Sequence, residues 1–171
     1  MDGRGGGGAP SVIVREVSTP DPRADIADRD DCERLVRAFY GRALADPLIG
    51  WIFTDLAKLD LEAHVPVLAS FWETVLLDAR SYGGGAFRPH AVLHAQVGLR
   101  AGHFDRWLTL WDATVDELFA GARAEQAKAH AQRVAEAFER RLGVAPAPDR
   151  PPPAQGALPM SWHGPGQTGS G

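Results

Sequence analysis

The stretch HFDRWLTLWDATVDELF, residues 103–119, decides how the chain folds. Phe104, Trp107, Leu108, Trp111, Val115, Leu118 and Phe119 recur three and four residues apart, which puts them on one side of a helix rather than on alternate faces of a strand. The helix begins at Gly102 or His103, and Gly121 ends it. Beyond Gly121 a further helix runs from about Ala122 to Leu142, with Gly143 as its C-terminal stop. Upstream, HAVLHAQVGL (90–99) holds a short helix at best, and SYGGGAFRP (81–89) is a turn-rich loop. Asp60 caps the helix before that loop, which carries Leu61, His64, Val65, Leu68, Phe71, Trp72, Val75 and Leu76 on one wide stripe. Pro66 lies near its start, where a missing N–H costs least. PLIGWIF (47–53) is a connector of one or two tight turns. The earliest helix is capped by Asp30 and Asp31, with Glu33 placed as in a capping box, and it buries Leu35, Val36, Phe39, Tyr40, Ala43 and Leu44. Asp46-Pro47 ends it, because the residue before proline avoids the helical region. No alternation of the strand kind is sustained anywhere, so the fold class is all-α.

Glycine and proline set the boundaries. Gly5 to Gly8 and Pro10, Pro20 and Pro22 crowd the start, and the segment after Gly143 is Pro/Gly-rich to its end. Such segments bury too little apolar surface to offset the entropy of ordering. Residues 1–26 and 145–171 therefore read as mobile tails around one domain, 27–144, and Trp162 as a solvated aromatic of the second tail. Hydrophobic residues make up 44% of the 171, an ordinary globular share. A net charge of −4 argues against binding nucleic acid through phosphates. The single cysteine, Cys32, rules out an intrachain disulfide and a Cys-rich zinc site, and no CxxCH motif attaches a c-type haem. No apolar run approaches the ~18 residues of a membrane span, and the N-terminus lacks a signal-peptide core. The expected compartment is the cytoplasm, with no membrane partner. GxSxG, P-loop, HExxH and GxGxxG motifs are all missing, and Gly83 to Gly85 read as a turn.

Four segments in order carry a larger pattern. FYGRALADPLIGWIF (39–53), HVPVLASFWETVLL (64–77), LHAQVGL (93–99) and HFDRWLTLWDATVDELF (103–119) resemble the truncated haemoglobins, and group III of that family in particular. The resemblance spans roughly residues 30–143. It implies a truncated globin fold, a two-over-two helical sandwich around haem b. It places the distal tyrosine at Tyr40 after Phe39, and the phenylalanine that packs on haem at Phe53. His64 takes the distal position on the next helix, in an intact HxPxxxxFW pattern that ends at Trp72. Trp107 of the RWL motif becomes the distal tryptophan, and Leu68 part of the pocket wall. The proximal iron ligand falls on His94, favoured by HAQVGL and by the thirteen residues to Trp107; an alignment anchored on AFRPH chooses His90 instead.

The residue chemistry agrees with that reading. Haem iron needs one strong axial ligand, and a neutral imidazole nitrogen suits it. Oxygen on ferrous haem gains negative charge, which a buried donor stabilises, and Tyr40 offers a phenolic O–H and Trp107 an indole N–H. His64 can add a third donor, gate entry or ligate. Arg88 and Arg100 flank the proximal segment, where a guanidinium matches a propionate; a solvated arginine is the plainer reading. Arg123, Lys128 and Arg133 read as a solvated face.

The resemblance implies a haem-binding protein that takes up oxygen or other small diatomic ligands. Two uses stay open. One is enzyme-like, nitric oxide dioxygenase or peroxidase-like, with a separate reductase as partner because no flavin or NAD motif is present. The other is storage, delivery or sensing without turnover. A reading of a different class is a small non-haem helical interaction protein whose Trp-rich stripe packs a partner helix.

Overall fold

In a computed structural model the described residues are 23–145, and every regular element among them is helical. α1 spans Arg29–Ala43, α2 Leu61–Leu77, α3 Phe87–Val97, α4 Ala101–Leu118 and α5 Ala122–Leu142, and a single π-helical turn, Ile52–Leu56, lies between α1 and α2. α1 packs against α2 and α4, and α5 packs against α4, α2 and α3. Among the described residues no helix is long and apolar enough to cross a membrane.

α1 starts two residues earlier than the sequence suggests. Asp28, not Asp30, is its cap, and its carboxylate accepts the Asp31 N–H at 3.0 Å. Its buried face is Cys32, Leu35, Val36, Phe39, Tyr40 and Ala43, the three-and-four spacing of an amphipathic helix. Arg29 ties α1 to α2 by donating to Ser70 at 3.2 Å, Glu73 at 3.0 Å and the Pro66 carbonyl at 3.2 Å.

After α1, Asp46 organises the turn. One carboxylate oxygen accepts the N–H groups of Leu48 and Ile49. The other accepts Nε and Nη2 of Arg106 at 2.8 and 2.7 Å, which fastens the connector to α4. The carboxylate is almost wholly buried, and the Arg106 hydrogen bond holds its pKa below the ordinary value. Gly50 is required beside it, because a Cβ there would lie 2.6 Å from the Leu44 carbonyl oxygen. α2 is capped by Asp60 as expected, with Pro66 in its early turns.

Two findings revise the sequence reading. α3 is a full eleven-residue helix, closed by Gly98 in the left-handed conformation at φ 61°. Yet none of its residues is fully buried, which is why its apolar periodicity is weak. The domain also begins before residue 27. Ile26 is completely buried, and the Ala120 N–H donates to the Ala24 carbonyl at 3.1 Å. The remaining expectations for the two tails, Trp162 included, fall outside the described residues.

Asp25 explains how this N-terminal piece is held. Its carboxylate accepts the N–H groups of Arg123 and Ala124, both at 2.9 Å, and so caps α5 from a distant part of the chain. Gly121 makes room for it: φ is +145°, and a Cβ there would stand 2.4 Å from Asp25 Cγ. Burial alone would raise the Asp25 pKa, but the N–H groups of Arg123, Ala124 and Ile26 outweigh it and pull it down. Asp25→Ala should therefore cost roughly 0.5–2 kcal/mol in urea unfolding at neutral pH, the range of a lost N-terminal cap. A group with a depressed pKa stabilises above its unfolded pKa and stops doing so as pH falls through the folded one. The gap between wild type and variant should thus close in acid; a gap that persists there would show that the contribution is not the carboxylate's charge.

Candidate functional site

The five helices and the π-helical turn line a large, partly open cavity of about 720 Å³, within the ~300–1,000 Å³ of small-molecule and cofactor sites. Its walls are mainly apolar and aromatic. α1 contributes Phe39 and Tyr40, the turn Phe53, α2 His64 and Leu68, and α4 Trp107. These residues, predicted together from the sequence, line one space.

Tyr40 sits at the centre of one wall, edge-on to Phe53 at 5.7 Å, to His64 at 5.9 Å and to Phe39 at 5.1 Å. It is 7% exposed, and burial pushes its phenol well above the ordinary pKa, so its proton stays on Oη. Burial likewise lowers the pKa of His64, leaving a neutral ring at neutral pH. Trp107 packs edge-on against Phe39 at 5.4 Å. An O–H, an indole N–H and an imidazole thus belong to one largely apolar space, where a donor is worth more than in water.

The two histidines of α3 part company. His90 lines the cavity and His94 does not. His90 Nδ1 lies 2.7 Å from the Ala86 carbonyl oxygen. A carbonyl only accepts, so Nδ1 carries the proton and Nε2 keeps its lone pair. The ring also packs on Phe138 of α5 at 4.6 Å. Burial lowers its pKa against the opposing pull of the Ala86 bond, and His64, when protonated, lowers it a little further. The result is a neutral imidazole with its tautomer fixed by a backbone carbonyl, the arrangement a metal-binding histidine requires. His94, one turn on, has a buried Nδ1 with no hydrogen-bond partner among the described residues. HAQVGL and the distance to Trp107 along the chain favour His94 in the sequence, whereas of the two it is His90 that stands among the residues lining the cavity.

Neither Arg88 nor Arg100 reaches the cavity; both are exposed. Arg100 donates its backbone N–H to His103 Nδ1 at 3.1 Å, helping to start α4. Arg133, read as a solvated charge, lines the cavity instead. Its Nη2 lies 3.1 Å from His130 Nδ1, so that nitrogen accepts. Lys128 pairs with Asp116 and Glu125.

His103 and His130 also line the cavity and were missed as site residues. His130 had a legible signal. It falls on the buried stripe of α5 with Ala124, Ala127, Ala131 and Ala135, a polar residue in an alanine seam. The Trp-rich stripe of α4 faces inward: Trp111 is 1% exposed and Trp107 half-buried against Phe39.

The fold is that of a known structure, the crystal structure of group III truncated haemoglobin from Campylobacter jejuni. The TM-score is 0.62, with 21% sequence identity over 70% of this chain and 94% of that one. The chain thus has the all-α truncated globin fold. No protein-family model and no curated protein matches it.

His130 makes the site sensitive to acid. It is 5% exposed, and burial, then the charge of Arg133, pushes its pKa down to about 4 from 6.5. A ring kept neutral by folding takes up its proton first in the unfolded chain, so stability is lost as pH falls from 6.5 toward 4. By about pH 5 the wild type should lose on the order of 2 kcal/mol through this residue. Urea unfolding at that pH and near pH 8 should show a smaller loss for His130→Leu, and equal losses would place the acid dependence elsewhere.

Proposed function

We propose that the cavity holds haem b, that His90 rather than His94 supplies the axial imidazole, and that the protein reversibly binds oxygen or another small diatomic ligand. The observation that carries this reading is the hydrogen bond from His90 Nδ1 to the Ala86 carbonyl, on a ring that faces the cavity. It leaves Nε2 as a lone-pair donor in a space whose volume and apolar lining suit a porphyrin. When bound, haem b supplies the iron on which the gas binds.

The chain's own residues would do the rest. His90 would orient the group through the one nitrogen left free. Phe53, Leu68 and Trp107 would exclude water. Tyr40 Oη, kept protonated by burial, would donate to a ligand that carries negative charge, with Trp107 Nε1 and His64 as further donors. Under this reading the protein acts in the cytoplasm, and a separate reductase supplies electrons for any nitric oxide dioxygenase or peroxidase-like turnover.

The first test is the visible spectrum of the purified full chain after haem is added, where a Soret band is expected and its absence would overturn the reading. His90→Ala should lose the band or release haem readily, whereas His94→Ala should leave the spectrum nearly unchanged. The opposite pattern would return the ligand to His94.

Tyr40→Phe separates donation from packing. A hydrogen bond to a charged group contributes roughly 1.5–3 kcal/mol, and about 1.4 kcal/mol is tenfold in an equilibrium constant. Oxygen release measured by stopped flow should therefore speed up about tenfold or more. Carbon monoxide, which carries little charge, should respond much less. Equal acceleration of both gases would mean that the substitution opened the pocket and that Tyr40 donates nothing.

A further inference from the structure

Trp107, Trp111 and Trp72 form a column along the cavity wall. The rings of Trp107 and Trp111 are parallel to within 2°, with centroids 5.8 Å apart. Trp111 and Trp72 stack at 4.4 Å and 18°. Trp107 is half-buried, while Trp111 and Trp72 are 1% and 4% exposed. From Trp72 the aromatic contacts continue to Phe71 at 5.0 Å and from Phe71 to Tyr82 at 5.3 Å. Tyr82, half-buried in the loop before α3, lines the cavity further along the same wall.

Packing alone does not explain the middle indole. Trp111 Nε1 is buried and has no hydrogen-bond partner among the described residues. A phenylalanine would fill much of the same space without orphaning a donor, and a buried unsatisfied group in a native fold calls for a reason. An indole has one property that a phenyl ring lacks: it gives up a single electron readily. Stacked indoles share the resulting positive charge. Loss of the N–H proton traps that charge, and Trp111 Nε1 has no hydrogen-bond partner among the described residues to receive it.

We propose that Trp107, Trp111 and Trp72 are an electron relay that carries oxidising equivalents along the cavity wall toward Tyr82 when a hydroperoxide is reduced in the cavity. The inference rests on the haem reading above. Reducing one hydroperoxide takes two electrons and two protons and yields an alcohol and water. The electrons leave the stacked pair through Trp107 one at a time, and the indoles keep their protons. A one-electron donor of the ascorbate class refills the column from the Tyr82 side. Two such donors each lose one electron and one proton, which balances the reaction. Tyr40 also faces the cavity, but oxidising a phenol requires release of a proton that burial holds in place.

The test uses ferric haem-loaded protein whose Soret band is recorded first, treated with tert-butyl hydroperoxide without reductant. Frozen samples are examined by electron paramagnetic resonance, and peptides are mapped for oxidation by mass spectrometry. An indole-type radical and oxidation at Trp111 and Trp72 are expected, and excess ascorbate should suppress both. In Trp111→Phe, oxidation of Trp72 should fall severalfold and shift to Trp107. In Trp72→Phe, oxidation should accumulate on Trp111, which decides the matter if the first variant does not retain haem. Equal Trp72 oxidation in wild type and Trp111→Phe would show that peroxide reaches it by diffusion and would overturn the relay. So would an unmodified Trp72 in wild type with its Soret band intact, or an unchanged Trp111 in Trp72→Phe. A wild type with no Soret band would remove the haem reading and the relay with it.

Discussion

Three helices meet at the ring of Trp111. It touches Phe39 of α1 at 5.3 Å, stacks on Trp72 of α2 and lies parallel to Trp107 one turn away on its own helix. Protein interiors normally close on themselves at crystal-like density, so a domain of this size keeps a large cavity only if its walls resist collapse. Flat, rigid side chains that brace one another edge to face do this better than flexible aliphatic ones, because few rotamers let them fold inward. The Asp46–Arg106 pair fastens the connector to α4 from outside the cavity, and Asp25 pins the start of α5. Charged contacts thus hold the frame, while uncharged rings shape the space inside it.

That division sets the chemistry. In a space with little water, the buried histidines and tyrosine settle in their uncharged forms. Desolvation lowers the pKa values of His64, His90 and His130 and raises that of Tyr40. Neutral imidazoles keep lone pairs, and a protonated phenol keeps a donor. The same burial that makes these groups useful costs stability, since each would be better solvated outside. The site and the acid sensitivity of the fold therefore have one origin.

How far the sequence reveals this differs from element to element. α5 runs from Ala122 to Leu142 as its stripe and the two flanking glycines indicate, and α2 begins at Asp60 as its cap requires. Tyr40, Phe53, His64, Leu68 and Trp107 are legible because each lies on the inward stripe of a long helix or in the short turn that α1 and α4 confine. α3 is not legible in this way. It buries no residue fully, so no apolar period marks which side faces inward. His90 and His94 are one turn apart on it, and only the contact with Ala86 and Phe138 tells them apart. Asp25 was read as part of a tail because its partners, Arg123 and Ala124, lie nearly a hundred residues away, and a cap supplied from that distance leaves no local pattern.

The two sides of the cavity are accordingly built to different standards of rigidity. Tyr40 and Trp107 stand on α1 and α4, whose faces are deeply buried and cross-braced, so their donors are held without help from a ligand. His90 stands on a helix that follows three consecutive glycines, Gly83 to Gly85, and that packs on α5. Low burial is the ordinary mark of an element with little local stability. A donor must be held in place before a ligand arrives, because a donor that has to be ordered gives up part of its interaction energy to entropy. A strong axial bond tolerates an adjustable partner, since the bond itself can supply the ordering. Under the haem reading proposed above, preorganised donors opposite an adaptable helix that carries the axial histidine are therefore the distribution of stiffness that a large flat cofactor and a small gas demand.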